Sequence, residues 1–360
     1  QLPAATAGGS ATICHLGTMT VSGATSARGT ILWTHNGTGT LTNATTATPT
    51  YTAGAGDAFN GGFAAALAEG REPLAAARFG CAVAGIAVTR AGEDRPAERI
   101  VREAVANGVT RIAVLGGDGT ASQALNGLRQ ADGSIAAVQL GLIPAGTGRD
   151  FARTIGSSRE PIEAARQLAR GGAPRIIDVG QIELGDGSVR LFLNIASFGV
   201  TARIAHALEE YPQLKRHAGA LAFGLATMRA GASYAPDLVE ARVDAHEPEL
   251  GPVAAMAIAN GAWFGGGMHV APTARIDDGR FEVIRFGDIA RSDFVVSLPL
   301  VYKGTHYAHP KVTVSQGADV FAAPAGGPDA RAVEIEADGE IVGRLPARFT
   351  VRPAAVTLLT

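Results

Sequence analysis

The sequence predicts an α/β fold with two glycine-rich strand-to-helix turns, set behind an N-terminal extension of different character. Three observations carry this. An apolar run, Ile112-Ala113-Val114-Leu115, leads into Gly116-Gly117-Asp118-Gly119-Thr120 and then a helical pattern opening at Ala121. The same order of strand, glycine turn and helix recurs in Gly141-Leu142-Ile143-Pro144-Ala145-Gly146-Thr147-Gly148-Arg149-Asp150-Phe151-Ala152-Arg153. Residues 1–50, by contrast, hold fourteen threonines and a single charged side chain, Arg28.

In that first segment, Thr18-Met19-Thr20-Val21 and Thr30-Ile31-Leu32-Trp33 alternate β-branched and other residues at period two, which predicts short antiparallel strands. The segment is too short for a complete sandwich of roughly 100 residues, so we expect it to be β-like or unstructured. Asn36-Gly37-Thr38 and Asn43-Ala44-Thr45 fit the glycosylation pattern, which threonine-rich sequence generates by chance. Cys14 and Cys81 have no metal-ligand spacing, and a disulfide between them is a weak expectation. Further on, Pro96 suits a first helical turn. Ile100, Val101, Ala104 and Val105 make one apolar stripe, and Asn107-Gly108 stops that helix before the strand at Arg111.

Glycines let a backbone approach a ligand closely and adopt positive φ. A glycine turn at a helix start presents N–H groups to phosphate. Asp118 supplies a carboxylate able to hold Mg²⁺ directly or through water, and Thr120 is the expected N-cap. Two such turns on neighbouring parallel strands would face one nucleotide at the strands' C-terminal ends. The bulk properties exclude other classes. A net charge of −2 gives no nucleic-acid footprint. No apolar run reaches the ~18 residues needed to span a bilayer: Ser297 and Pro299 interrupt the best candidate, Phe294 to Tyr302, which reads as core. With 46% hydrophobic and 18% charged residues, 360 residues can bury a large core in two or three domains. No charged and then apolar leader opens the chain, so no secretory signal is expected. The start at Gln1 fits a processed chain or a fragment.

The paired turns resemble the catalytic domain of the diacylglycerol kinase family, which includes bacterial lipid kinases and sphingosine-kinase-like enzymes. NAD kinases share Gly-Gly-Asp-Gly, but the Pro144-to-Arg153 run points to the lipid kinases. That family often has Asn where this chain has Arg149. Further motifs follow in order: Phe192-Leu193-Asn194-Ile195-Ala196-Ser197-Phe198-Gly199; Asn260-Gly261 with Gly265-Gly266-Gly267-Met268; Ala271-Pro272-Thr273-Ala274-Arg275-Ile276-Asp277-Asp278-Gly279; Gly304-Thr305-His306-Tyr307-Ala308-His309-Pro310; and Glu336-Ala337-Asp338-Gly339-Glu340 before a strand-like run to Leu359. The similarity covers residues 97–360. It implies a two-domain lipid kinase architecture: an α/β nucleotide-binding domain over 97–175, then a β-rich, sandwich-like domain over 176–360 that carries the base, with the active site in the cleft between them.

A second resemblance precedes it. Thr52-Ala53-Gly54-Ala55-Gly56-Asp57-Ala58-Phe59-Asn60-Gly61-Gly62-Phe63, with a helix to Gly70, another from Pro73 to Ala84, and Ile86 to Arg90, resembles the C-terminal signature of ribokinase-type sugar kinases over residues 51–96. There the aspartate matching Asp57 is the base for a sugar hydroxyl, although this chain has Tyr51 where an Asp is usual and lacks the sugar site and lid. Residues 1–50 faintly resemble extracellular bacterial β-sandwich repeats. The earlier glycine-containing nucleotide element of lipid kinases has no counterpart before Arg111.

The resemblance implies ATP and Mg²⁺ as cofactors and ATP-dependent phosphorylation of a lipid hydroxyl at a membrane surface, most simply diacylglycerol to phosphatidate. It implies a cytoplasmic enzyme, peripheral at the inner membrane face. Gly116, Gly117, Asp118, Gly119 and Thr120, with Gly146, Thr147 and Gly148, would cradle the phosphates. Asp338 would be the general base, and Glu340 would support it or the metal. Those two share a face if the segment is a strand, whereas Gly339 makes a solvated hairpin bend an equal alternative. Asp277 and Asp278 would join Asp118 as metal candidates, turn chemistry being the other reading. Arg149 and Arg153 would attract phosphate or form ion pairs, His306 and His309 would serve packing, and His269 would line the cleft. A carbohydrate kinase, a NAD kinase and a non-catalytic fusion that only binds nucleotide are the competing functions.

Overall fold

The computed structural model describes residues 96–146, 148–169, 172–209, 226–227, 229–230, 235–289, 291–326 and 331–360, together with five short strands between residues 5 and 52. Cys14, Thr30–Trp33, Asn36, Asn43, Asp57 with the Gly54–Gly62 turn and its helices, Cys81, Ile86–Arg90 and Thr147 lie outside the described residues. The threonine-rich segment forms the expected antiparallel pairs. Strands β1 (Ala5–Gly8) and β3 (Ser22–Ser26) pair with each other, while β2 (Thr18–Thr20), β4 (Thr40–Thr42) and β5 (Thr50–Thr52) form a three-stranded sheet ordered β2-β5-β4.

Helix α1 (Ala97–Ala106) starts after Pro96 and stops at Asn107, with Gly108 at φ 78°. Its stripe buries Val101 and Ala104 in the first core. Strand β6 (Arg111–Gly116), helix α2 (Asp118–Gly127), strand β7 (Gln139–Pro144) and helices α3 (Asp150–Ile155) and α4 (Pro161–Ala169) follow. Strands β6 and β7 are parallel, with Gly116 opposite Pro144, so both glycine turns leave the same end of the sheet side by side. Apolar side chains at Ile112, Val114, Leu125, Leu128, Leu140 and Phe151 fill the space between strands and helices. Helices α1 and α2 touch at their backbones: a Cβ on Gly127 would lie 2.6 Å from the Glu98 carbonyl oxygen.

The rest of the chain is β-rich. Strands β8 (Pro174–Leu184), β9 (Val189–Phe192) and β10 (Ile195–Gly199) lead to helix α5 (Val200–Glu209). Then come β11 (Asp237–Val243), β12 (Glu249–Val253), β13 (Ala255–Ala259), β14 (Phe281–Phe286), helix α6 (Arg291–Lys303), β15 (Val312–Gly317), β16 (Asp319–Pro324), β17 (Glu334–Ala337), β18 (Glu340–Arg344) and β19 (Ala347–Leu359). One sheet is all antiparallel, in the order β15-β14-β13-β10-β17-β18. It packs on a mixed sheet ordered β12-β11-β16-β19-β7-β6, with β8 against β19 and β9 beyond β8. Phe192 stacks on Phe281 at 5.6 Å and Phe198 meets Phe349 at 6.4 Å. All four rings are fully buried, each stabilising the sandwich by about 1.5–3 kcal/mol. The apolar run at Phe294–Tyr302 lies in α6, whose Leu298, Val301 and Tyr302 pack against the core. Among the described residues no helix is long and apolar enough to cross a membrane.

Strand β19 belongs to both halves. It pairs with β8 from Ala347 opposite Leu184 to Leu359 opposite Pro174, and its last residues, Thr357–Leu359, run parallel to Gln139–Gly141 of β7. The last strand of the chain thus extends the nucleotide-side sheet. A buried amide makes a second tie. Asn126 of α2 donates to the Leu191 carbonyl at 2.8 Å and accepts the Leu191 N–H at 2.9 Å. It thereby satisfies the free edge of β9 as a neighbouring strand would. Asn126→Ala should therefore reduce the unfolding free energy by about 1–3 kcal/mol for each orphaned Leu191 group, seen as a lower urea midpoint. Removing the exposed Arg99–Glu103 pair should cost well under about 1 kcal/mol.

Candidate active site

The first glycine turn is tighter than its sequence implies. Helix α2 begins at Asp118, not Ala121, and its N-cap is Gly117 in extended conformation, φ −87° and ψ −176°. Thr120 is therefore not the cap. It is buried in the first helical turn, under Gly116, where a Cβ would lie 2.6 Å from its own Cβ. None of Gly116, Gly117, Gly119, Gly146 or Gly148 adopts positive φ. These glycines serve close approach instead. A Cβ on Gly146 would come within 2.4 Å of the Gly117 Cα, so the two turns touch backbone to backbone. No side chain caps α2, which leaves its first-turn N–H groups suited to an anion.

Asp118 spans the two turns. Its carboxylate accepts the N–H groups of Asp150 and Phe151, both at 3.1 Å, and so caps α3. Arg149, just before α3, sits at φ 53°, a left-handed conformation that Asn tolerates far better than most side chains. Its guanidinium donates to the Gly146 and Arg159 carbonyls, while Arg153 pairs with Asp150 at 2.5 Å. Asp150 also accepts the Gly266 N–H at 2.7 Å. Burial, reinforced by the charge on Asp118, pushes the Asp150 carboxyl up to about 6.

From the other side comes the hairpin of β17 and β18. Asp338 and Gly339 are its two turn residues, at φ 50° and 91°, the positive pair that a tight two-residue hairpin requires. The Asp-Gly signal thus marks a turn rather than a continuous strand, yet the turn is not solvated: Asp338 is only 8% exposed. Its carboxylate accepts the N–H groups of Leu193 at 2.8 Å, Asn194 at 2.9 Å and Ile195 at 3.3 Å, and the Ser122 hydroxyl of α2 also donates to it. Burial outweighs these donors and pushes its carboxyl up to about 6. Glu340 accepts from Gln123 at 3.0 Å and lies over Gly119, where a Cβ would be 2.8 Å from its Oε1. Asn194 continues the network, accepting from Thr154 of α3 and donating to the Trp263 carbonyl.

The structure therefore gathers Gly116, Gly117, Asp118, Gly119, Thr120, Gly146, Gly148, Asp338 and Glu340 around one junction. Asp277 and Asp278 stand elsewhere. Asp277 is ion-paired with Arg175 at 3.0 Å and Arg275 at 3.3 Å, with its carboxyl held below the usual range chiefly by the Arg175 hydrogen bond. Asp278 accepts the Arg280 N–H in a turn. Among the described residues no group of three or more His, Cys, Asp or Glu side chains is placed to hold a metal. His306 is buried, its Nε2–H donating to the Val270 carbonyl and its ring stacking on Phe286, and His309 accepts the Lys311 N–H. His269 stacks on Trp263 at 3.9 Å. Sequence reasoning did not single out Asp150, Ser122, Gln123, Asn194 or Glu336 as site residues. Asp150 was signalled by its place beside the second glycine turn and Glu336 by its spacing from Asp338. Ser122 and Gln123 carry no local signal, because Gln123 meets its partner 217 residues away.

Comparison with known proteins agrees with this fold. Residues 67–182 match the diacylglycerol kinase catalytic domain, and residues 194–360 match the YegS C-terminal NAD kinase beta sandwich-like domain. Residues 12–100 match the pfkB family carbohydrate kinase model, which carries that resemblance upstream into the threonine-rich segment. A protein of Chromohalobacter salexigens named probable lipid kinase YegS-like is 36% identical over 223 residues, 62% of this chain and 68% of that protein. A diacylglycerol kinase of Mycobacterium tuberculosis is 26% identical over 268 residues, 74% of this chain and 82% of that one. The crystal structure of a diacylglycerol kinase from Bacillus anthracis shares the fold, with a TM-score of 0.54 and 20% identity over 74% of this chain and 82% of that chain. The chain belongs to the diacylglycerol kinase and YegS-like lipid kinase family.

Proposed function

We propose that the chain transfers the γ-phosphoryl group of ATP to a lipid hydroxyl, with diacylglycerol as acceptor and phosphatidate as product. The observation that carries this reading is the seating of the Asp338-Gly339 turn on the first turns of α2, where Ser122 reaches Asp338 and Glu340 covers Gly119. A carboxylate is thus placed beside an uncapped helix N-terminus, a base next to a phosphate site. The N–H groups of Gly116–Thr120, Gly146 and Gly148 hold the phosphates. Asp338 takes the proton of the lipid hydroxyl as its oxygen bonds to the γ-phosphorus, and the bond from that phosphorus to the β-phosphate oxygen breaks, releasing ADP. Mg²⁺ binds through few carboxylates plus phosphate oxygens, and the like-charged Asp118 and Asp150 fit a divalent ion arriving with the nucleotide, where it would neutralise phosphate charge. The acceptor sits in a bilayer, so the enzyme works peripherally at the cytoplasmic membrane face.

Labelled ATP offered with dioleoylglycerol, sphingosine, ribose and NAD tests this reading. We expect label in phosphatidate, and Asp338→Asn should lower kcat about 10²–10⁴-fold with ATP affinity retained. Label in ribose phosphate would favour the carbohydrate kinase suggested by the match at residues 12–100. Label in NADP would favour a NAD kinase, and nucleotide binding without any transfer a non-catalytic fusion.

A pH profile gives a separate check. Asp338 acts ionised, so kcat/KM should climb as pH rises through about 6 and then level. Stability should move the opposite way. Burial leaves Asp150 and Asp338 near 6 and Glu336 near 7, all above their values in the unfolded chain. Their stabilising contribution is full below about pH 4 and is lost as pH rises through 6 to 7. Melting temperatures that increase between pH 5 and 7.5 would contradict this assignment.

A further inference from the structure

Glu336 is fully enclosed in the sandwich wall, on β17 opposite Ser197 of β10. Burying a carboxyl there is costly where an apolar side chain would pack without penalty. Its contacts show where that cost is offset. The Ser197 hydroxyl donates to its Oε2 at 2.7 Å. Ser197 lies 2.9 Å from the Thr201 hydroxyl of α5, so the two hydroxyls and the carboxyl form one line from α5 into β17. The other oxygen, Oε1, accepts the Gly339 N–H. Glu336 therefore grips the turn from beneath, one residue past Asp338. The ladder of β17 and β18 shifts register between Ile335 and Glu336, so regular pairing next to the turn is limited to Glu336 with Ile341 and Ala337 with Glu340. Asp338 holds its left-handed backbone at φ 50°, a conformation that costs a non-glycine residue of order 1 kcal/mol or more unless its surroundings fix it.

We infer that Glu336 is a positioning residue for the transfer: through the Gly339 N–H, and itself braced by Ser197, it holds the Asp338 carboxylate at the junction with α2. This rests on the proposed role of Asp338 as base. It distinguishes Glu336 from an ordinary core residue, whose loss would lower stability without separating kcat from KM.

The test uses the full chain with ATP and dioleoylglycerol in mixed micelles. Glu336→Leu keeps the volume and removes the grip. It should fold with a melting temperature near that of the parent, keep the KM for ATP, and lose about 10–100-fold in kcat, the scale of loss when a reacting group is misplaced by about an ångström. Glu336→Gln keeps one acceptor, the amide oxygen, for the Gly339 N–H, while its NH2 group can donate to the Ser197 hydroxyl, which accepts instead; it should restore most of the lost kcat. A folded Glu336→Leu with unchanged kcat overturns the inference, as does a Glu336→Gln variant no better than Leu. If the Leu variant does not fold, Ser197→Ala decides: removing the brace should lower kcat severalfold at constant KM for ATP, and an unchanged kcat overturns the inference. Asp338→Asn run in parallel separates the two claims. Full kcat there would defeat the base assignment itself, whereas a deep loss with indifferent Glu336 variants defeats only the positioning role.

Discussion

The carboxylate of Asp338, accepting three successive backbone N–H groups from Leu193, Asn194 and Ile195, is the contact on which the junction depends. These donors sit at the corner where β9 gives way to β10. A chain leaving a strand at a corner loses its ladder partners, and buried N–H groups without acceptors are expensive. One side chain from a distant hairpin supplies the acceptors. In doing so it fixes the β17–β18 turn against the corner and brings the turn to α2, which carries the first glycine turn. Separation of the sandwich from the α/β half would strip Asp338 of its Ser122 donor and Glu340 of Gln123.

The arrangement costs stability, and under the proposed mechanism that cost has a use. Three carboxyls, on Asp150, Glu336 and Asp338, lie where burial disfavours their charged forms. Each is held by donors chosen from the backbone: Gly266 N–H for Asp150, Gly339 N–H for Glu336, the corner for Asp338. Backbone donors are fixed by the fold and do not rearrange during a reaction, the condition under which electrostatic groups serve catalysis best. A carboxyl tuned to about 6 also stays ionised at neutral pH while remaining a stronger base than an exposed aspartate.

Much of the α/β half was legible in the sequence because its signals are local. Pro96, the Val101 stripe and Asn107-Gly108 bound α1 as read, and the apolar runs before each glycine turn became β6 and β7. The error at Thr120 was local too. Gly117 alone makes the turn, so the residues that look like loop are the first turn of α2. What could not be read were the reasons that depend on distant partners. Nothing near Gly146 reveals that its bare Cα faces Gly117. Nothing around Asp338-Gly339 reveals that the turn is buried, since its donors lie 143 to 145 residues earlier. The same holds for β19, whose pairing with β7 joins segments more than 200 residues apart and is not marked by its own composition. The resemblance to a known family gave only the coarser expectation, two domains with the glycine turns and Asp338 at the cleft between them, and none of these particular pairings.

Carbon-13 NMR of protein labelled at aspartate carboxyls would test the central claim most directly, with Asp338→Asn identifying the Asp338 signal by its disappearance. The account predicts that this carboxyl titrates near 6 and that its signal broadens on adding ATP with Mn²⁺ as a paramagnetic replacement for Mg²⁺, because the proposed phosphate site at the start of α2 lies beside the hairpin. A signal that titrates near the ordinary carboxylate value of about 4, and that keeps its width when Mn²⁺·ATP saturates the protein, would contradict it.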